Sequence, residues 1–281
     1  MMIKLDRHAL LRPVAVVGIG LVVVHLALAL AAPWLAPYDP MALNGGRAEP
    51  PSAEFWLGTD VLGRDYLSRL LWGGRTALLA TFTGVVAAVA FGSIAGVTAA
   101  YVGGLFDDIV MRIVDLKLAL PGILFVALFA VGFGESLPVL IVLIGMVYFP
   151  GVIRIVRAQA LTQVNLGYVK AAQLRGESTL SIILRELYPN TLDVVYVEFA
   201  IRMSHAILLL SSLSFLGMGI SPPTPDWGLM VAEGVSQLAY APWLVLAPAV
   251  FIATLVIGLN FGAEALARAL GLDATRGQDA A

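Results

Sequence analysis

What most constrains this chain is where its charges are absent. Pro13 to Tyr38 holds no charged residue unless His25 is protonated. Thr76–Phe106, Leu118–Gly134, Ser136–Ile153, Met203–Pro225 and Pro242–Gly262 are equally free of Asp, Glu, Lys and Arg. About 20 apolar residues suffice to cross the hydrocarbon of a bilayer. A soluble domain carries about 25% charged residues, but only 13% of these 281 residues are charged and the mean hydropathy is +0.90. Too little polar surface remains to cover a water-soluble particle, which predicts an all-α polytopic membrane protein with about six transmembrane helices.

In chain order, residues 1–12 form a basic tail with Lys4, Arg7 and Arg12, and residues 13–38 form the first span. A cleaved signal peptide is the alternative, but the run exceeds the 7–15 residues of a usual signal core. Residues 39–75 make an external loop opened by Pro37, Pro40, Gly45, Gly46, Pro50 and Pro51. Its second half offers Asp60 as a helix cap, Asp65 and Arg69 four apart, and interfacial aromatics Trp56, Tyr66 and Trp72. That composition predicts a helix lying on the membrane surface before the next span. The core follows over residues 76–266, then a tail over 267–281.

Within the core, Asp107–Lys117 reads as a short polar turn. The two runs after it are each near the lower length limit for a span, and are either two spans or one broken re-entrant pair. Glu198 and Arg202 stand at i,i+4 spacing. If their span runs from Met203 to Gly219, as the uncharged run favours, they form an ion pair at its cytoplasmic edge. If it begins near Leu192, they lie partly inside the membrane and must pair within the bundle. The loop containing Pro222, Pro223, Pro225, Asp226, Trp227 and Glu233 precedes the last span.

Six spans put both termini on one side. Positive residues concentrate in cytoplasmic loops. Of the 17 Lys and Arg residues, the tails, the 107–117 turn and the segment around Arg154, Arg157, Lys170, Arg175 and Arg185 hold the majority. The regions around Glu135 and Asp226 hold none. Only the long first loop objects, with Arg47, Arg64, Arg69 and Arg75, and it also carries five acids. This places both termini and the central polar segment in the cytoplasm.

Several chemistries are excluded. There is no G-x-x-x-x-G-K-[ST] phosphate loop, and no cysteine for a disulfide or thiolate site. His8, His25 and His205 are not spaced as a metal set, and no Ser, His and Asp group stands in register. A net charge of −2 gives no footprint for nucleic acid. Gly217 and Gly219 suit close helix packing rather than cofactor binding. What remains is a membrane scaffold with a docking element, Asn165 to Asn190 (NLGYVKAAQLRGESTLSIILRELYPN). It reads as a short helix, a turn at Gly176 and a second amphipathic piece, closed by Pro189.

That segment resembles the EAA loop of ABC importer permeases, roughly E-A-A-x-x-x-G with a distal I-x-L-P. Ala171, Ala172 and Gly176 match, and Ile183 and Pro189 fit the distal part. Leu57–Arg75 (LGTDVLGRDYLSRLLWGGR) and Leu213–Trp227 (LSFLGMGISPPTPDW) resemble the C-type permease of dipeptide, oligopeptide and nickel importers. The sequence departs from the family at Lys170 in the Glu position, Glu186 where His is frequent, Tyr188 for Leu, and Leu210 where Glu is common.

The resemblance implies a type I importer permease in a bacterial inner membrane, itself non-catalytic. Its coupling helix, near Tyr168 to Arg175, would enter a cleft of an ATPase, with Ala171 and Ala172 allowing close approach and Gly176 the turn. Tyr168, Arg175 and Pro189 complete this candidate set. The implied partners are a homologous B-type permease, one or two P-loop ATPases that bind ATP and Mg, and an extracytoplasmic solute-binding protein. Asp60, Arg64 and Asp65 would either contact that binding protein or brace the loop. Short peptides are the implied solute, with nickel or another small solute as the alternative. An ATP-independent secondary transporter, supported only by Glu198 and Arg202, and an assembly factor are the competing classes.

Overall fold

The structure, a computed structural model, describes residues 11–272. Most of the two tails and His8 lie outside them. Five helices are long and apolar enough to cross a membrane: α1 Pro13–Leu35, α2 Tyr66–Val102, α5 Leu137–Gln163, α9 Leu192–Phe215 and α11 Trp243–Ala269. Between them lie α3 Gly104–Leu118, α4 Gly122–Phe133, α6 Gly167–Leu174, α7 Thr179–Ser181, α8 Tyr188–Asn190 and α10 Trp227–Val235, with π-helical residues Ile182–Leu187 joining α7 to α8.

The packing register settles how the sixth crossing is made. On α2, Gly84 lies against Ile144, Gly92 against Val152, and Gly96 against Ile153 and Arg157. A Cβ at Gly84 would stand 2.8 Å from Ile144 Cγ2, so the small residues are what let the helices approach. Both numberings rise together, so α2 and α5 run parallel. The chain between them must therefore cross back. It does so as a broken pair, α3 and α4, bent by 84°. Asp107 pairs with Arg157, Asp115 pairs with Arg154, and Gly122 lies against Val147. These contacts descend α5 from residue 157 to residue 147, about 15 Å at 1.5 Å per residue, and α4 then ends at Phe133, just before α5 begins at Leu137, so the return reaches the start of α5.

The remaining spans alternate. Gly18 faces Phe261, Gly258 faces Leu21 and His25 bonds Thr254, so α11 runs antiparallel to α1. Arg12 and Pro13 share a cleft with Glu264 and Arg268, which puts the start of α1 and the end of α11 on one face. We call this the terminal face. Ile155 of α5 and Val194 of α9 line a cleft with Ala267 there, so α6, between them in sequence, is on this face as well.

Several sequence boundaries are corrected. Asp107–Lys117 is helical rather than a turn, because its acids find arginines on α5. The expected surface helix does not exist as a separate piece: α2 starts at Tyr66, capped by Asp65 rather than Asp60, and runs unbroken through the expected boundary at residue 76. Tyr66 is buried, with its hydroxyl donating to Leu244 O, and is not an interfacial aromatic. Helix α5 extends past Ile153 to Gln163, and α11 past Gly262 and the core boundary at 266 to Ala269.

Candidate functional site

The docking segment is built from local rules and then tied to the bundle. Val169 and Ala172, both fully buried, seat α6 on the π-helical stretch, where Ile182, Ile183 and Leu187 are buried. Gly176 ends the helix at φ +75°; its N–H donates to Gln173 O at 3.0 Å, and Glu177 N–H reaches Ala172 O at 3.2 Å. These two bonds are a Schellman closure, which needs a left-handed residue at its turn. A Cβ at Gly176 would meet nothing within 4 Å, so the requirement is conformational and not steric.

Beyond the turn, Arg175 bonds Glu177 at 2.6 Å and lies 3.6 Å from Glu186, while Ser181 donates to the other Glu177 oxygen at 3.0 Å. Arg175 and then Ser181 hold the Glu177 carboxyl below its ordinary range. Pro189 does not close the segment as expected. It sits in α8, inside a nearly continuous helical run that leads through Thr191 into α9. A proline ring clashes with the carbonyl four residues back in an α-helix, and the wider π turns just before it relieve that clash. Tyr188 N–H correspondingly bonds Ile183 O, five residues back.

A chain of side chains then links α6 to two spans. Tyr168 donates to Gln163 Oε1 at 2.7 Å, Gln163 donates to Asn190 O at 2.8 Å, and Asn190 donates to Glu186 O at 2.6 Å. Gln163 ends α5 and Asn190 precedes α9, so any displacement of α6 bears on both. The outward side of α6 shows Lys170, Ala171, Gln173 and Leu174, the last 90% exposed. Of the predicted pair, only Ala171 is available to a partner. Ala172 faces inward and serves the seating of α6. From sequence Leu174 reads only as a scattered apolar contact and not as a coupling residue, although its place on the helix face opposite Val169 was the available signal.

On the far face, Asp60, Arg64 and Asp65 come together but point inward, each at most 3% exposed. Asp60 Oδ2 lies 2.5 Å from Arg64 Nε and 3.3 Å from Arg69 Nε. Glu233, on α10, completes the cluster at 2.9 Å from Arg69 Nη2 and 3.5 Å from Arg64 Nη2. Two acids and two bases leave it neutral, the condition under which buried charge is tolerated. Asp65 is occupied as the cap of α2, accepting Ser68 N–H at 2.8 Å, and does not pair with Arg69. The geometry is therefore that of a brace between the loop, α2 and α10. Asp226 caps α10 through the N–H groups of Gly228 and Leu229, and burial pushes its carboxyl up to about 6 against those bonds.

Glu198 and Arg202 do pair, at 2.7 Å, but not at the edge of a span beginning at Met203. Their helix starts at Leu192, so the pair lies within it; Glu198 is 5% exposed, and Arg202 stands beside Gly151 and over the Tyr148 ring. Leu210, in the position of a family glutamate, is buried apolar core. His25 bonds Leu21 O and Thr254, and no group of three or more His, Asp or Glu able to hold a metal occurs among the described residues.

Comparison with known proteins adds the following. Residues 67–272 match the family described as binding-protein-dependent transport system inner membrane component. Residues 10–51 match the N-terminal transmembrane domain of oligopeptide transport permease C. A di/tripeptide transport system permease of Pseudomonas aeruginosa is 36% identical over 249 residues, covering 86% of this chain and 82% of its own. A dipeptide transport system permease of Haemophilus influenzae is 33% identical, covering 91% and 89%. An oligopeptide transport system permease of the same organism is 36% identical, covering 85% and 78%.

Proposed function

This chain belongs to the family of binding-protein-dependent transport system inner membrane components, and from that premise we propose that it is the permease subunit of an ATP-driven importer of short peptides. The observation that carries the reading is the docking segment: α6 is closed at Gly176, seated by Val169 and Ala172, and strutted to α5 and α9 through Tyr168, Gln163 and Asn190. A helix so fixed transmits a push to the spans as a rigid body. The positive residues gathered near α6 and the terminal face support placing that face, with both termini, in the cytoplasm of a bacterial inner membrane.

In this reading the chain hydrolyses nothing. ATP and Mg bind to one or two P-loop ATPase subunits that receive α6, with Leu174, Ala171 and Lys170 at the contact. A homologous permease supplies the other half of the pathway, and an extracytoplasmic binding protein delivers solute at the far face. Peptide is preferred to nickel on the named substrates of the relatives. Glu198 is already neutralised by Arg202, which leaves no free carboxylate there for an ion-coupled mechanism.

The test is to purify the chain through a C-terminal tag in mild detergent, identify its stoichiometric companions, and measure ATP-dependent uptake of a labelled dipeptide into proteoliposomes. Recovery of a second permease and P-loop ATPases, with uptake requiring ATP, is the expected outcome. A monodisperse chain that purifies alone and transports without ATP would overturn the proposal.

A further inference from the structure

A cavity of about 730 Å³ on the far face is used by neither the docking segment nor the buried charge cluster. It is bounded by the end of α1, the loop at residues 38–41, residues 72–79 of α2, the start of α5 and the turn at residues 224–225. Its depth follows from the sequence of α2. Arg75 is the last charge before an uncharged run to Val102, about 40 Å at 1.5 Å per residue, enough to cross the hydrocarbon. Trp72 lines the cavity, and Trp34, next in sequence to the lining residue Pro33 at the end of α1, is 83% exposed, the placement of an aromatic belt. The cavity thus sits at the boundary between headgroups and acyl chains.

Its floor and rim differ in chemistry. Leu79 and Leu137 form an apolar floor, and Leu79 is 54% exposed, so the floor opens onto the outer surface of the helix bundle. The rim carries one charge of each sign. The Arg75 guanidinium lies 5.1 Å over the Trp72 ring and has no acidic partner among the described residues. Asp39 is exposed and accepts Met41 N–H with one oxygen at 2.8 Å.

We propose that this cavity binds an aminophospholipid, its phosphate on Arg75, its ammonium on Asp39 and one acyl chain against Leu79 and Leu137. A phosphate takes the fork of an arginine well. An anionic headgroup would satisfy Arg75 but meet Asp39 as a like charge, and a choline headgroup has no N–H to donate. A short peptide carries the same two charges but no long alkyl chain for an apolar floor that opens onto the outer surface of the bundle.

The test uses the complete transporter in nanodiscs containing equal phosphatidylethanolamine, phosphatidylglycerol and phosphatidylcholine, with retained lipid counted by native mass spectrometry. About one phosphatidylethanolamine per copy should be retained by the unmodified protein, at least fivefold less by Arg75→Ala. Asp39→Asn should retain phosphatidylethanolamine and phosphatidylcholine equally. Equal retention by Arg75→Ala and the unmodified protein, or a preference for phosphatidylglycerol, would overturn the assignment. Should Arg75→Ala fail to assemble, a photoreactive residue replacing Leu79 decides: labelling of phosphatidylethanolamine supports the site, and labelling only of the second permease or of an added dipeptide refutes it.

Discussion

The Tyr168 hydroxyl donates to Gln163 Oε1 at 2.7 Å, joining the exposed α6 to the last residue of α5. The backbone at 164–166 alone would leave that angle loose, and the side-chain bond fixes it. Tyr168→Phe deletes a bond worth about 1 kcal/mol, about a fivefold change in the balance between coupled and uncoupled geometries. Uptake per ATP hydrolysed, measured in proteoliposomes, should fall by about that factor with assembly unchanged. Adding Tyr168→Phe to Gln163→Ala should change little more, since Gln163→Ala has already removed the acceptor of the tyrosine hydroxyl along with the bond to Asn190.

Gly176 is held at φ +75° with open space around it. A non-glycine residue there carries about 1–3 kcal/mol of backbone strain, least for Asn, which tolerates the left-handed region. Uptake should therefore decline in the order Gly, Asn, Ala, Val at position 176, while membrane insertion, read by fractionation, stays constant. Normal uptake by Gly176→Val would remove the turn from the coupling path.

Glu233 neutralises a fully buried Arg69. Glu233→Ala leaves Asp60 alone to answer both Arg64 and Arg69, one buried positive charge in excess, and should destabilise the purified protein by about 3 kcal/mol, seen as a lowered Tm in detergent. Pairing it with Arg69→Met should recover part of the loss. No recovery would mean that the brace acts through packing alone.

Asp226 predicts a pH dependence of definite sign. Its folded-state pKa of about 6 lies above the ordinary 3.8, because burial disfavours the charged form. The stability this confers is fully present below pH 3.8 and is lost as pH rises through 6. Asp226→Asn keeps the cap and should be more stable than the unmodified protein at pH 8, by up to about 3 kcal/mol at 1.36 kcal/mol per pH unit. Near pH 4 the two should converge. Chemical denaturation in detergent at both pH values measures this.

Glu198 and Arg202 pair within the helix Leu192–Phe215. Arg202→Met alone leaves a buried carboxylate, whereas Arg202→Met with Glu198→Leu leaves none. The double variant should be the more stable of the two. A less stable double variant would assign the Glu198 position to packing or transport instead.

Much of this fold was legible because membrane spans obey a local rule. Uncharged runs gave the number and order of crossings, and Gly176 marked its own turn. Boundaries failed wherever a charge was taken as the end of a helix. Asp107 and Asp115 stay helical because Arg157 and Arg154 answer them from α5, and Glu198 lies within its helix because Arg202 answers it one turn on. Pro189 failed for a related reason: a proline is compatible with a helix that widens before it, and nothing in the residues Ile182–Leu187 announces that widening.

The sequence by itself determined what is set by neighbours along the chain: membrane residence, six crossings, the helix and turn of the docking segment. Tertiary structure decided which residue answers which. It turned Ala172 inward and left Ala171 and Leu174 outward, a difference of a few helical positions that depends on where the π-helical stretch lies. It also brought Glu233 to Arg69 across 164 positions of chain, and so converted the charges of the first loop from surface groups into a neutral interior cluster. Local periodicity reports what a segment prefers, but the partner of a buried charge is fixed only when distant segments meet, since burial without that partner is prohibitive.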